Sequence, residues 1–553
     1  DVHWADTASV ELLADLVDHL ADKRLMLVLS QRPDARAVQA TRAEQTQVLL
    51  APLGTDDTHG LVDQLLGSHG DAQLAPLREL VARRAGGNPL FVEEILRSLA
   101  GAGQLQRVGQ RWQCEAGGDT ADVPATLYGL LLSRIDRLGA DDRRTLQEAA
   151  VLGVQFSAAL LRRIAAAPPT AIDAALQRLA AAELLHIDGN HWRFTHALLH
   201  EVAYQNLLLA RRSELHGRAG QALEEEGGPA HAPRRLAELE ALGHHWSLSP
   251  DKLRGARYLL AAGDWARAVY ANEDAMRHYQ RAFDTLKPES GNDIRLAQLD
   301  ARERLADLQG LAGRREEALA HYEAIGTALE DAQSSEPVRA ARVLRKTGGL
   351  HWESGERERA AACFNAGLAH LGEAGDAIER AHLFQELGRL AFRAGDNTGA
   401  MAWAQRALAE VPIGPEGSAG QDAERAATIV RAEAGNTLGI ALARLGRLNE
   451  AVQEIERSLA QAEALELLQA TCRGYTNLGV LYATLDPQRS IETCLRGLET
   501  ARKVGDLAFQ SRLYANLAVA YCALTNRCEA EGIEAAQAAV QLDRRLGLVD
   551  HLA

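Results

Sequence analysis

A small residue followed four positions later by a larger, mostly apolar one recurs along the C-terminal half of the chain, and this marker constrains the fold more than anything else in the sequence. The clearest pairs are Ala275/Tyr279, Ala318/Tyr322, Ala360/Phe364, Ala451/Ile455 and Ser490/Cys494, with Ala400/Ala404 and Ala530/Glu534 as poorer matches. Successive markers lie 43, 42, 40, 51, 39 and 40 residues apart, and the longest interval contains the Pro- and Gly-rich run Val411 to Gly420. Residues four apart share one face of a helix, so each marker labels a face where another helix must come close. Most markers follow a turn containing glycine, as in Ala312-Gly313-Arg314, Ser354-Gly355-Glu356, Ala394-Gly395-Asp396 and Leu445-Gly446-Arg447. A period near 40 with one turn per half-period describes paired helices whose apolar faces are buried only by the next pair.

Composition agrees. The 553 residues are 47% hydrophobic but only 5% aromatic, which suits close helix-on-helix packing. A net charge of −15 argues against a general nucleic-acid-binding role, because phosphate neutralisation needs a basic surface. The six cysteines show no C-x-x-C spacing, which predicts reduced thiols in a cytoplasmic protein. No apolar run has the length of a membrane span, and no signal peptide is evident.

The array from residue 227 to 553 resembles tetratricopeptide repeats with helices longer than those of the usual unit. That resemblance implies an α-solenoid with a concave groove that grips a protein or peptide partner. First helices of later units share Asn436-Thr437-Leu438-Gly439, Asn477-Leu478-Gly479-Val480 and Asn516-Leu517-Ala518-Val519.

The N-terminal part carries a second set of signals. Gly86-Gly87-Asn88-Pro89 reads as a helix end, a turn, an N-cap and a proline at the first helical position, followed by Glu93 and Glu94 placed to complement the helix dipole. Upstream, Ala8 to Leu20 is amphipathic, and Arg24 to Asp34 reads as a buried parallel strand leaving a sheet at Ser30-Gln31-Arg32-Pro33. Helices are expected at Thr58–Leu66, Ala75–Arg84 and Pro89–Ala100, then a hairpin at Leu105–Val108 and Arg111–Cys114 turning at Gly109-Gln110, and a loop at Gly117 to Thr120. Asp1 to Asp6, Arg32 and Gly87-Asn88-Pro89 resemble, in order and spacing, the end of Walker B, the sensor arginine and the Gly-x-Pro motif of STAND-type signalling ATPases. The likeness is to those fused in bacteria to adenylate or guanylate cyclases, kinases or transcription regulators.

On that resemblance Asp1 is the second acidic residue of Walker B, beside the attacking water or the metal shell. Arg32 reports on the γ-phosphate, and Pro89 packs on the adenine; His3 and Trp4 are read as structural. The cofactor implied is ATP or ADP with Mg in the intact protein. No G-x-x-x-x-G-K-[ST] phosphate cradle occurs in the 553 residues, so the chain is expected to be an N-terminally truncated part that does not hold nucleotide tightly alone.

Between residues 124 and 226 four helices are expected, opened by Pro124, Asp141, Ser157 and Thr170, and then a hairpin around Asp188-Gly189. That order reads as a winged helix without a basic recognition helix. His196, just past the hairpin, is the residue that the resemblance places on the β-phosphate of bound ADP; no metal site is expected there.

The fold class expected is therefore mainly α. Residues 1–52 are the remnant of an α/β P-loop NTPase core, 53–123 a helical lid and hairpin, 124–226 the winged helix, and 227–553 the repeats. The function expected is the regulatory part of an ATP-dependent signalling switch, with oligomerisation allowed and no membrane or direct nucleic-acid partner. The alternatives are a nucleotide-independent interaction scaffold and a fragment of a maltose-activator-type transcription regulator.

Overall fold

The computed structural model describes residues 2, 5, 7–20, 26–32, 46–68, 71–108, 111–114, 124, 126–227, 234–331, 336–372, 375–411, 421–504, 506–524 and 527–546. It divides into two compact units, residues 1–304 and 305–553. Asp1, His3, Trp4, the turn at Gly109-Gln110, the loop at Gly117 to Thr120 and the run 412–420 lie outside the described residues.

The first unit opens with α1 (Thr7–Leu20), α2 (Thr55–Leu66), α3 (Ala75–Ala85) and α4 (Pro89–Gly101), then the antiparallel hairpin β1 (Leu105–Val108) and β2 (Arg111–Cys114). Val62, Val81, Phe91, Ile95 and Leu99 form the core of α2, α3 and α4, with Leu105 and Leu130 packed into it. The strand expected over 24–34 is a correction. Residues 26–32 carry no regular secondary structure and pair with no strand among the described residues, and Met26 and Val28 are 85% and 78% exposed, while 24, 25, 33 and 34 lie outside the described residues. Its one backbone link shown is from the Val2 N–H to the Ser30 carbonyl, 2.9 Å. An apolar run becomes a strand only when neighbouring strands complete its hydrogen bonds.

Next come α5 (Leu127–Asp136), α6 (Ala140–Ala150), β3 (Gln155–Phe156), α7 (Ala158–Ile164), α8 (Pro169–Ala181), β4 (Leu185–Asp188), β5 (His191–Phe194), α9 (Ala197–Gln205) and α10 (Leu209–Glu226). The three strands form one antiparallel sheet in the order β3-β5-β4. Thr126, not Pro124, starts α5, because its hydroxyl accepts from the Gly129 N–H at 3.1 Å. Ser157 caps α7 as expected, whereas Gly139 and Pro168 occupy the cap positions of α6 and α8. Leu146, Leu161, Ile172, Leu179, Phe194 and Leu199 make one continuous core across these elements.

From α11 (Leu236–Leu248) onward the chain is paired helices: α12 (Lys252–Ala268) with α13 (Asn272–Leu286), α14 (Asn292–Leu311), α15 (Arg315–Asp331), α16 (Pro337–Glu353) with α17 (Arg357–Leu371), and α18 (Ala377–Arg393) with α19 (Asn397–Glu410). They continue with α20 (Gln421–Arg444) and α21 (Leu448–Ala464), α22 (Leu468–Leu485) and α23 (Pro487–Val504), and α24 (Leu507–Ala523) and α25 (Ile533–Leu546). These are tetratricopeptide-like helical repeats. The marker pairs explain how each closes. Tyr279, Phe364 and Ile455 are fully buried, and a Cβ on Gly263, Gly348 or Gly439 would collide with them in turn. Each of those glycines sits sixteen residues upstream of its partner, on the first helix of the same pair. The missing side chain lets the large residue seat against the backbone. Tyr279 and Tyr322 add a second repeat, donating their hydroxyls to Asp264 and Asp307 at 2.8 and 2.6 Å.

The Ala530/Glu534 marker is not realised, since both residues are exposed and the buried pair is Ala535 and Ala539. A five-residue π turn, Cys528–Gly532, precedes α25 and shifts its register. The same turn brings Cys522 and Cys528 within 4.1 Å between Cα atoms, and they are joined as a disulfide, so the expectation of six free thiols fails for this pair. Among the described residues no helix is long and apolar enough to cross a membrane.

Candidate functional site

The joint at Gly87-Asn88-Pro89 is fixed by backbone geometry. Gly86 and Gly87 end α3 with φ of 55° and 78°, and the Asn88 side chain accepts from the Phe91 N–H at 3.3 Å. The Leu53 N–H donates to the Gly87 carbonyl at 2.9 Å, and a Cβ at Gly87 would fall 2.8 Å from the Leu53 nitrogen. Positive φ and close backbone approach together leave glycine alone as tolerable at this position. Pro89 takes the first position of α4 and is exposed.

One turn into α4 lies Glu94, with no exposed surface. It is not the dipole complement that its neighbour Glu93 suggests. The Arg134 guanidinium on α5 reaches both Glu94 oxygens at 2.8 and 3.0 Å, and Arg97 reaches Oε1 at 2.9 Å. Arg97 also pairs with Glu183 at 3.0 Å, and Arg134 donates to the Ala182 carbonyl at 2.5 Å. His196, at the cap position of α9, brings its Nε2 to 4.0 Å from Glu94 Oε1. Four elements, α4, α5, the end of α8 and the start of α9, thus meet on one buried carboxylate. Burial holds the His196 pKa below the ordinary imidazole value, against the opposing pull of Glu94, and its Nε2 is buried with no hydrogen-bond partner among the described residues.

Of the residues singled out from the sequence, the structure joins the helix of Pro89 to His196 through Glu94. Arg32 lies in the exposed run 26–32, outside this cluster, and Asp1 lies outside the described residues. Glu94, Arg97 and Arg134 escaped sequence reasoning. The available signal was a charged residue within the apolar stripe formed by Phe91, Ile95 and Leu99.

A second buried polar chain runs through α9, α10 and α11. Tyr204 Oη lies 2.8 Å from His216 Nε2, and His216 Nδ1 lies 2.9 Å from His245 Nδ1. A neutral imidazole has one donor and one acceptor, so Tyr204 donating to His216 and His216 donating to His245 satisfies the chain, as does the reverse. Burial pushes both histidines down to about 3, with repulsion from neighbouring imidazoles adding to it. The unfolded chain, with imidazoles near 6.5, then binds more protons than the folded one below that pH. Stability from this pair is complete above about pH 6.5 and should fall towards pH 3 by about 1.4 kcal/mol per pH unit for each histidine. Urea unfolding of the full chain across that range checks this, and His245→Asn should remove one proton from the slope.

In the second unit, successive first helices pack on one another, α16 on α18, α18 on α20, α20 on α22 and α22 on α24, and among the described residues packing of this extent does not occur between second helices. First helices therefore form the layer through which successive pairs of this unit meet. Two of them repeat a motif: Arg473-Gly474-Tyr475-Thr476-Asn477-Leu478-Gly479-Val480 and Arg512-Leu513-Tyr514-Ala515-Asn516-Leu517-Ala518-Val519. Arg, Asn and Val at i, i+4 and i+7 share one helix face, and Val480 and Val519 are 52% and 60% exposed. Asn477 Nδ2 donates to Asn436 Oδ1 at 3.0 Å, and Asn516 Nδ2 to the Thr476 carbonyl at 2.9 Å.

Residues 54–104 match a domain of unknown function, DUF8739. A curated relative, the uncharacterized protein R02095 of Rhizobium meliloti (strain 1021), is 26% identical over 298 residues, which are 53% of this chain and 28% of the relative. The match spans little more than a quarter of that relative's length. Among solved structures, the chain is similar to the Signal Transduction ATPase with Numerous Domains protein with a tetratricopeptide repeat sensor, PH0952, from Pyrococcus horikoshii. Identity there is 12%, over 94% of this chain and 77% of that one, with a TM-score of 0.38. It is also similar to the Rap conjugation gene regulator of plasmid pLS20 in complex with the Phr* peptide, at 14% identity over 61% and 84% of the two chains and a TM-score of 0.43.

Proposed function

We propose that this chain is the sensor and transmission part of a STAND-type signalling ATPase, in which the repeats bind a protein or peptide partner and the unit 124–226 relays that binding to a nucleotide switch. The observation that carries the reading is the buried Glu94 cluster, which fixes the helix opened by Pro89 against His196. The order helix, helix, strand, helix, helix, strand, strand, with its three-stranded sheet, supports a winged helix in that relay. The exposed apolar runs at Met26 to Leu29 and Val48 to Leu50 support membership of a larger α/β core.

ATP or ADP with Mg would bring phosphate charge to that core. The orphaned, buried Nε2 of His196 beside the Arg97 and Arg134 guanidiniums fits an anionic group, and the exposed Pro89 offers an apolar face to a base. Arg32 and Asp1 would complete the site from the core. In the present arrangement His196 faces Glu94, so the same imidazole is offered either to a carboxylate or to a phosphate. Such a choice makes a two-state relay when a partner on the repeats favours one arrangement.

Release of a fluorescent ADP from the full-length natural protein tests the reading. The wild type should retain ADP, and His196→Ala should release it on the order of tenfold faster, as expected for the loss of one hydrogen bond to a charged group. An unchanged release rate removes His196 from the relay. A wild type that binds no nucleotide leaves the repeat scaffold, a reading favoured by the absence of a phosphate-cradle motif from the 553 residues.

A further inference from the structure

The last pair of helices carries the one disulfide found among the described residues. Cys522, in the last turn of α24, is exposed, and half-buried Cys528 opens the π turn before α25. Elsewhere in the repeats the thiols are inert. Cys472 and Cys494 are buried, and burial pushes both up to about 11, so neither supplies a thiolate near neutrality. Burial raises the Cys363 thiol as well.

The bond is coupled to backbone geometry. In the π turn the Gly532 N–H donates to the Arg527 carbonyl at 3.1 Å, and the Ile533 N–H reaches the Cys528 carbonyl, both five residues back. Such a turn takes about one residue more than an α turn, which displaces whatever precedes it by about 100° around the helix axis. Cys522 Sγ sits directly against this turn, since a Cβ on Gly532 would fall 2.9 Å from it. Beyond the turn α25 is anchored independently: Ala535 and Ala539 are buried, and the Ser511 hydroxyl donates to the buried Asp543 at 2.5 Å. Rearrangement is thereby limited to residues 527–533. Tightening the turn to α bonds would swing Cys528 around the axis and away from Cys522, so the disulfide requires the π turn.

We propose that Cys522 and Cys528 form a thiol-exchange site, at which a low-molecular-weight thiol opens the disulfide and frees the π turn to become α-helical. The thiolate attacks the exposed Cys522 sulfur, forming a mixed disulfide, and the bonding pair leaves on Cys528, whose place at a helix N-terminus stabilises a thiolate. A second small thiolate attacks its own kind in the mixed disulfide and releases Cys522. The two protons of the small thiols end on the two cysteines, and the small thiols leave as their disulfide; the reverse sequence closes the bond. Exchange changes the surface at the end of this pair. Ala518, Val519, Cys522, Gly532, Ile533 and Ala536 line an open hollow of about 330 Å³, in which Val519 and Ile533 are 60% and 50% exposed. Rotation of the turn moves Gly532, Ile533 and Arg527, whose guanidinium lies 4.8 Å over the Tyr521 ring and 3.0 Å from Glu531. The assignment does not depend on the nucleotide switch.

The test equilibrates the full chain at graded ratios of reduced to oxidised glutathione, then alkylates it and maps the cysteines by mass spectrometry. Cys522 and Cys528 should pass together from bonded to alkylated, while Cys472 and Cys494 stay unalkylated over the same period. In Cys528→Ser, oxidised glutathione should leave a mixed disulfide on Cys522, and in Cys522→Ser its attachment to the half-buried Cys528 should be on the order of tenfold slower. A pair that stays bonded, or stays open, at every ratio overturns the exchange. For the wild type, reduction should change amide hydrogen exchange over 528–533 on the order of tenfold and leave 535–543 unchanged. Identical exchange in the two states overturns the rearrangement, and so does loss of protection along the whole of α25. Should the variants fail to fold, alkylation and hydrogen exchange of the wild type decide alone.

Discussion

Arg134→Leu should destabilise the first unit by about 3 kcal/mol, because it strips a fully buried carboxylate of the guanidinium nitrogen that bridges both its oxygens. Glu94 would keep Arg97 at 2.9 Å and His196 at 4.0 Å, and the Ala182 carbonyl would lose its guanidinium donor. Arg134 is one of the charges that depress the His196 pKa, whereas Glu94 raises it, so removing Arg134 should move that pKa upward. The two readouts separate structure from electrostatics: urea unfolding reports the stability loss, and the imidazole resonances of His196 report the shift. Removing both charges in Glu94→Leu with Arg134→Leu should recover most of the stability, since an apolar pair leaves no buried charge behind. A single variant as stable as the wild type would mean that Glu94 draws no net stability from α5, and the relay proposed through it would lose its basis.

Phe364→Ala should cost the second unit about 4 kcal/mol, through lost apolar burial and the cavity left between α16 and α17. Phe364 is completely buried with Ala341, Ala360, Leu371 and Leu383 around it. Gly348→Val approaches the same contact from the other side and should cost about 1 to 3 kcal/mol, because its side chain must enter the space that the Phe364 ring occupies. The two losses should not add. In Gly348→Val with Phe364→Ala the valine enters the space vacated by the ring, so the double variant should be more stable than the sum of the singles predicts. Chemical unfolding of all three variants checks this, and strict additivity would show that the glycine and the ring do not share one contact.

Much of the helical architecture was legible because it is written locally. Asn88 caps α4, Pro89 opens it and Ser157 caps α7, each through contacts within a few residues. The repeat markers were legible for the same reason: a small residue and a large one four apart define a helix face before any partner is known. The failures have one cause in common. Arg24 to Asp34 has a strand's composition, but strand formation depends on neighbours that local sequence does not specify. Glu94 looks like a solvent-facing dipole complement until Arg134, forty residues on, arrives beside it. Cys522 and Cys528 have no recognisable motif spacing, and only the π turn between α24 and α25 brings them together.

The sequence by itself determined where α4 and α7 begin, the period of the repeats and the tight turn at Gly87, because caps, glycine conformations and amphipathic faces are short-range properties of the chain. The tertiary structure alone decided which charged and ring groups would leave water together. The Glu94 to Arg134 pair and the His216 to His245 pair both depend on burial between segments distant in sequence. Desolvation turns an ordinary surface residue into a costly buried charge or a depressed imidazole, and desolvation is a property of the packed whole.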